Sequence, residues 1–329
     1  MRSVIVGCPF DNGIRSMLRF GRGITGAANG PRAVFQAFSK EFSGKYKGDL
    51  KLKMLPLQKY NFKLKAENIN DVMLRKQQKR ATIKAHEIMT KQIKEICKQG
   101  YIPISVGGDH SVTYPLCRGV CLGNPGKRFG IIYIDAHFDM RDFDKDDQVG
   151  GVISSGNPFR RLIEDEQLNI DGKNVVAIGI HNSGSEIYKE LENYAKAKNV
   201  TVFYDDEVKG NVDKIIKIAL ERAGQNTDFI YFSVDIDGVN KAFAPGVSAP
   251  ADSGISEGQL YSLVKGISRD KRVIAFDLAE ISSRELAWFE IIKGESRNES
   301  YKERMRKLEQ TAKVGAKAID CFLESKLLR

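Results

Sequence analysis

Eight short apolar runs, separated by stretches of helical pattern, restrict this chain more than any other feature. They are SVIVG (3–7), KLKMLPL (51–57), YIPISV (101–106), FGIIYID (129–135), NVVAIGI (174–180), VTVFYD (200–205), FIYFSVD (229–235) and RVIAFDL (272–278). Such runs suit strands buried on both faces, as in parallel sheets. Helical patterns follow nearly every one. Pro31 stands at a first helical position before RAVFQAF, and 72–98 is a long amphipathic stretch ended by Gly100. This alternation predicts one α/β domain, residues 1–329, around a mostly parallel sheet. The charged segment around 283–307 stands outside the pattern and reads as a surface helix or a partly mobile insertion.

Several function classes fall away. No apolar run approaches the roughly 18–20 residues that a membrane span needs. The opening MRSVIVGCPF reads as a first buried strand rather than a secretory signal. The net charge is +10, from 52 basic and 42 acidic side chains. These are intermingled and form no basic stripe with interleaved aromatics, so they predict a solvated surface and no nucleic-acid partner. The positive field also suits an anionic small-molecule substrate. The five cysteines, at 8, 97, 117, 121 and 321, read as free thiols of a reducing cytoplasm. Cys117 and Cys121 share a helix face, but no nearby histidine or second cysteine pair closes a zinc site. GRGITG (21–26) matches G-x-G-x-x-G, yet it follows no strand directly and opens no helix, so it predicts no nucleotide site.

Three of the runs deliver ligand-type residues at their carboxyl ends. FGIIYID continues into DAHFD, which sets Asp135, His137 and Asp139 at every second position. Side chains two apart share a strand face, so the three converge if the extended path continues past the strand. FSVDID repeats the device with Asp235 and Asp237, and IPISV runs into GGDHS, which carries His110. Carboxyl ends of strands are where open α/β sheets place their sites. Four carboxylates within a few ångströms repel one another, and burial raises the cost, so cations are needed among them. Two imidazoles and four carboxylates, with no thiolate, suit manganese better than structural zinc. Six ligands around one ion leave no open position. Around two ions, with bridging carboxylates, they leave room for a shared, acidified water. Each motif alone is ordinary turn chemistry. Three of them, each just after an apolar run, are not.

GGDHS (107–111), DAHFD (135–139) and SVDIDGVNKAFAPGVSAP (233–250) resemble the three signatures of the ureohydrolases, the family of arginase, agmatinase and formimidoylglutamase. The resemblance extends to GRGITGAANGPRAV near the start and DLAEIS (277–282) near the end. It implies an arginase-like, three-layer α/β/α domain with an eight-stranded, mostly parallel sheet. It also implies two Mn2+ ions and hydrolysis of a C–N bond in a guanidinium or amidinium. By position, one Mn2+ takes His110, Asp135, Asp139 and Asp235, and the other takes Asp135, His137, Asp235 and Asp237. The resemblance further implies that Glu280 grips the substrate cation through two parallel hydrogen bonds, that Asp139 relays a proton, and that the chain forms a homo-oligomer, a trimer or hexamer. Asn240-Lys241 departs from the Asp-Pro of many members and is expected to affect only its loop.

The loop after DAHFD bears on the substrate. Arginases and agmatinases carry a His-Gly-x-Pro element where this chain has Ser155-Gly156-Asn157-Pro158. Without that histidine, and with Met140-Arg141 following DAHFD, the chain looks like the formimidoylglutamase branch. That branch converts N-formimidoyl-L-glutamate and water to L-glutamate and formamide in histidine degradation. Arg141, helped by Asn157 or Arg160, is then expected to bind a substrate carboxylate. The alternatives are release of urea by an agmatinase, arginase or other guanidino-acid hydrolase, and, more remotely, a silent regulatory relative. His181 is expected to order a loop, and His86, mid-helix in KAHEIM, to stand apart from the chemistry.

Overall fold

The structure, a computed structural model, describes residues 2–17, 24–46, 50–62, 70–142, 149–181, 184–285 and 299–327. All eight apolar runs are strands: β1 (Ser3–Gly7), β2 (Leu50–Met54), β3 (Ile102–Val106), β4 (Phe129–Ile134), β5 (Ile170–Ile180), β6 (Thr201–Tyr204), β7 (Phe229–Asp235) and β8 (Val273–Ala279). They form one sheet in the order β2-β1-β3-β8-β7-β4-β5-β6, and every pairing is parallel. Two boundaries differ from the sequence expectation. β2 stops at Met54 rather than at 57, because Pro56 has no N–H to give the ladder. β5 starts at Ile170, in a polar stretch without a strand pattern, where it pairs with Phe129 across a register shift.

Helices cover both faces. They are α1 (Asn12–Met17), α2 (Gly30–Phe42), α3 (Val72–Lys98), α4 (Thr113–Gly123), α5 (Pro158–Glu164), α6 (Glu186–Ala197), α7 (Asp205–Val208), α8 (Val212–Ala223), α9 (Glu257–Ser268) and α10 (Tyr301–Leu327). Strand alternation sorts the core. Ile132, Phe232, Val234 and Phe276 pack toward Val34 and Phe38 of α2, Ile215 of α8, Leu263 of α9 and Phe322 of α10. Ile131, Tyr133 and Tyr231 pack on the other side with Met89 of α3, Leu116 of α4 and Leu191 of α6. The result is the expected three layers. α3 starts where Asp71 accepts hydrogen bonds from the Met73 and Leu74 amides, and its buried stripe Ala85, Met89, Ile93 recurs every fourth residue. Of the charged segment 283–307, residues 286–298 lie outside the described residues, and α10 begins within its remainder. No described helix is long and apolar enough to cross a membrane.

Strand order is what positions the site. β3, β8, β7 and β4 are consecutive neighbours, so their carboxyl ends open side by side. Those ends lead to His110, Glu280, Asp235 and Asp135 respectively.

The core makes a direct test available. Phe276 is 1% exposed, with ring centroids 5.5 Å from Phe232 and 4.9 Å from Phe322. Phe276→Ala should cost about 3–5 kcal/mol of stability. Leu52→Ala, on exposed β2, should cost no more than about 0.5 kcal/mol. Urea denaturation of the two variants measures both.

Candidate metal centre

The turn after β3 is shaped by Gly108, where a Cβ would lie 1.9 Å from the Phe10 carbonyl oxygen. The Gly107 amide donates to Leu278 O at 2.7 Å and the Asp109 amide to Phe10 O at 3.1 Å. Asp109 then caps a single 3-10 turn, His110–Val112. Its carboxylate accepts from the Ser111 amide at 3.1 Å and from the Ile14 amide at 2.7 Å. The His110 ring is thereby held, fully buried, at the sheet edge.

Past β4 the chain does not stay extended. The His137 amide turns back to Asp135 Oδ1 at 2.7 Å, and Asp139 adopts φ +47°. Convergence of Asp135, His137 and Asp139 therefore comes from a side-chain-stabilised turn and one left-handed residue, not from strand alternation alone. The end of β7 repeats the turn, with the Asp237 amide donating to Asp235 Oδ1 at 2.8 Å.

All six expected ligands meet. His110 Nδ1 lies 2.8 Å from Asp139 Oδ2 and 3.2 Å from both Asp135 Oδ2 and Asp235 Oδ2. His137 Nδ1 lies 3.2 Å from Asp237 Oδ2 and 3.4 Å from Asp135 Oδ1. These contacts form two groups able to hold an ion: His110, Asp135, Asp139 and Asp235, and beside it Asp135, His137 and Asp237. Asp135 belongs to both and turns one oxygen to each histidine. Asp235, expected in both, joins only the first group. Asp135 Oδ2 and Asp237 Oδ1 are buried without a hydrogen-bond donor, as oxygens reserved for cations would be.

Electrostatics agree. Burial, then repulsion from Asp237 and Asp135, drives the Asp235 carboxyl well above the carboxylate range. Burial and Asp135 push Asp139 up to about 6. Burial would raise Asp135 too, but His110 and His137 close beside it hold it below its ordinary value. Burial works against charge on both imidazoles, yet the carboxylates raise His110 and His137 well above theirs.

Beneath the cluster lies a hydrogen-bonded chain that the motifs do not reveal. His110 Nε2 is 3.0 Å from Ser233 Oγ, which donates to Asp277 Oδ1 at 2.6 Å. Thr113 Oγ1 also donates to Asp277 at 3.2 Å, and the Tyr231 hydroxyl bonds its other oxygen. With Ser233 donating downward, its oxygen accepts from Nε2–H, which leaves the Nδ1 lone pair for the cluster. The available signal was a serine and an aspartate inside apolar strands, Ser233 in FIYFSVD and Asp277 in RVIAFDL.

A cavity of about 280 Å³ opens over the cluster, lined by His137, Asp139, Asp235, Asp237 and Glu280, and also by Arg141, Ser155, Gly156 and Ser248. Glu280 is 3% exposed at φ +67°, with Oε1 accepting from the His110 amide at 2.8 Å and Oε2 unpartnered. Burial, then Asp109, raises its carboxyl well above the ordinary range. Left-handed backbone at two non-glycine site residues is strain of the kind held at functional positions.

The expected helpers of Arg141 are not there. Asn157 is a correction: it does not line the cavity. Its Nδ2 donates to Val152 O at 2.7 Å and its Oδ1 accepts from the Ser154 amide at 3.2 Å, so it shapes the loop. Arg160 lies 3.1 Å from Glu164 and 3.5 Å from Asp142, outside the cavity lining. His181 orders a loop as expected, with Ser253 Oγ 2.7 Å from its ring and Asp205 at 3.3 Å. Asn240 bonds the 252–255 loop, the local effect foreseen for that departure.

A model of the Arginase family matches residues 1–285. Formimidoylglutamase of Staphylococcus epidermidis is 34% identical over 177 residues, 54% of this chain and 53% of that protein. The chain spans about half the length of the curated relatives it matches. Among solved structures, formimidoylglutamase from Bacillus subtilis has TM-score 0.71 at 20% identity, covering 100% of this chain and 88% of that one. Trypanosoma cruzi formiminoglutamase with Mn2+2 has TM-score 0.69 at 22% identity, covering 99% and 93%.

The raised groups set a pH signature for the metal-free protein. Asp139, at about 6, and Asp235 keep protons that the unfolded chain releases near 4, so each costs more stability as pH climbs through that window. The raised His110 and His137 stabilise below about 6.5, and this is lost as pH rises through their folded values. Asp135 runs the other way and stabilises above its ordinary range. Divalent cations replace the protons. The gap in Tm between MnCl2-loaded and EDTA-treated protein should therefore widen from pH 5 to pH 8 in calorimetry. A gap independent of pH would contradict these assignments.

Proposed function

This chain belongs to the arginase family, and from that premise we propose that it hydrolyses N-formimidoyl-L-glutamate to L-glutamate and formamide. The observation that carries the proposal is one cavity holding the His–Asp cluster, the unpartnered Oε2 of Glu280 and the Arg141 side chain together. The donor set, with its orphaned buried oxygens, fits two divalent ions, and the manganese of the Trypanosoma cruzi relative supports Mn2+. Two such ions, when bound, would supply a water acidic enough to serve as hydroxide near neutral pH.

The chain's own residues do the rest. Glu280 Oε2 accepts from the substrate's planar amidinium and holds its carbon over the cluster. Arg141 takes a carboxylate at the other end of the substrate. Its placement depends on Gly156: the Arg141 amide donates to Gly156 O at 2.9 Å, and a Cβ on Gly156 would stand 2.9 Å from Arg141 Cδ. A C–O bond forms at the formimidoyl carbon and its bond to the glutamate nitrogen breaks. Asp139, which lines the cavity beside the cluster, hands a proton to the departing amine. Glutamate and formamide leave with the atoms of substrate and water accounted for.

The one continuous sheet supports reading 1–329 as a single domain. Family resemblance supports a trimer or hexamer. Five unpaired cysteines, four of them buried, support a reducing, cytoplasmic location.

Manganese-loaded protein offered formimidoylglutamate, arginine, agmatine and 4-guanidinobutyrate in parallel should release formamide from the first and little urea from the others. Preferential urea release would replace this reading with a guanidino-acid hydrolase. Arg141→Gln should raise KM for formimidoylglutamate about 10–100-fold with kcat little changed, the signature of a lost charge-assisted contact. An unchanged KM would remove Arg141 from the substrate site.

A further inference from the structure

A second concave site, of about 620 Å³, lies among α3, α4 and α5. His86 of α3 lines it at 5% exposure, and neither ring nitrogen has a hydrogen-bond partner among the described residues. Arg161 of α5 lines it as well. Its guanidinium carbon sits 3.6 Å over the Tyr114 ring, and its Nη1 is buried without an acceptor. Burial lowers Arg161 to about 10, which still leaves it charged. Burial, then the charge of Arg161, keeps His86 neutral and able to donate from one nitrogen.

Asp165, whose charge reaches Arg161, and the two exposed lining carboxylates, Glu87 and Glu95, have cationic neighbours of their own. Asp165 is held by Arg118 at 3.1 Å and by the Tyr114 hydroxyl at 2.8 Å. Glu87 lies 3.6 Å from Lys84 and Glu95 lies 3.6 Å from Lys98. Lys91 and Lys94 add two more cations to the lining, and neither pairs with a described carboxylate. The His86 ring and Nη1 of the half-buried Arg161, on different helices in a lining with more cations than carboxylates, lack an acceptor. Water satisfies an imidazole, whereas at Arg161 the Tyr114 ring and the charge of Asp165 offset the guanidinium but give Nη1 no acceptor.

We propose that this cavity binds one small oxyanion, a carboxylate or a phosphate group, at Arg161 Nη1 and the His86 ring, with Lys91 and Lys94 completing the charge. The hydrolytic reaction uses none of these groups. The site is nonetheless tied to the metal pocket. Ile153 lines it while Ser155 and Gly156, on the same loop, line the other cavity. Phe159, two residues before Arg161, packs edge-on to the His110 ring at 5.3 Å.

Calorimetric titration of the full metal-loaded chain with inorganic phosphate and, separately, with glutarate tests this. At least one probe should occupy one site per chain that Arg161→Gln removes or weakens tenfold or more, with a dissociation constant on the order of 1 mM or tighter. A response to phosphate alone assigns the site to phosphoryl ligands, and a response to glutarate alone to carboxylates. If Arg161→Gln fails to fold by circular dichroism, the Lys91→Gln, Lys94→Gln double variant replaces it and should weaken binding at least threefold. Absence of binding by both probes overturns the proposal, and so does binding that survives unchanged in the variant tested.

Discussion

Mutual repulsion among Asp135, Asp139, Asp235 and Asp237 is the constraint around which this molecule is organised. Like charges this close and this buried cost several kcal/mol each unless matched. Two histidines answer part of the charge, with Nδ1 atoms 2.8 to 3.4 Å from the carboxylate oxygens. Two oxygens of the cluster, Asp135 Oδ2 and Asp237 Oδ1, still lack a hydrogen-bond donor. The balance is left to cations from solution, and affinity for them is how the fold tolerates the cluster.

The rest of the architecture serves that gathering. Four neighbouring parallel strands bring their carboxyl ends together, so residues from 110 to 280 meet without a long loop. Asx turns at Asp135 and Asp235 aim the carboxylates, and the Gly108 turn lets His110 approach. The Asp277–Ser233–His110 chain fixes the ring's tautomer from below. Left-handed backbone at Asp139 and Glu280 is sustained by these surroundings. Arg141 and Glu280 then sit around one cavity, which matches a substrate cationic at one end and anionic at the other.

Much of this was legible in the sequence. A parallel strand buried on both faces is a continuous apolar run, so all eight strands and the α/β class could be read directly, while the three-layer architecture came from the family resemblance. The six ligands were legible because each followed such a run. Other features were not. Strand alternation predicts that Asp135, His137 and Asp139 converge along an extended path, whereas a turn with φ +47° at Asp139 brings them together. Asn157 looked like a substrate contact, since composition cannot say that both ends of an amide are spent on its own loop. Ser233, Asp277 and Asp109 act through partners distant in sequence, which spacing cannot report. His86, mid-helix in KAHEIM, carries no sequence signal of a site; its unmatched nitrogens, and Arg161 lining the same cavity, exist only in three dimensions.

The most direct measurement is a titration of metal-stripped protein with Mn2+, following bound ions per chain by calorimetry and electron paramagnetic resonance. Two ions per chain should bind. Asp135→Asn, which removes the carboxylate shared by both histidines, should weaken both sites together, by about 10-fold or more. One ion or none in the parent protein, or two bound with undiminished affinity in Asp135→Asn, would contradict the account.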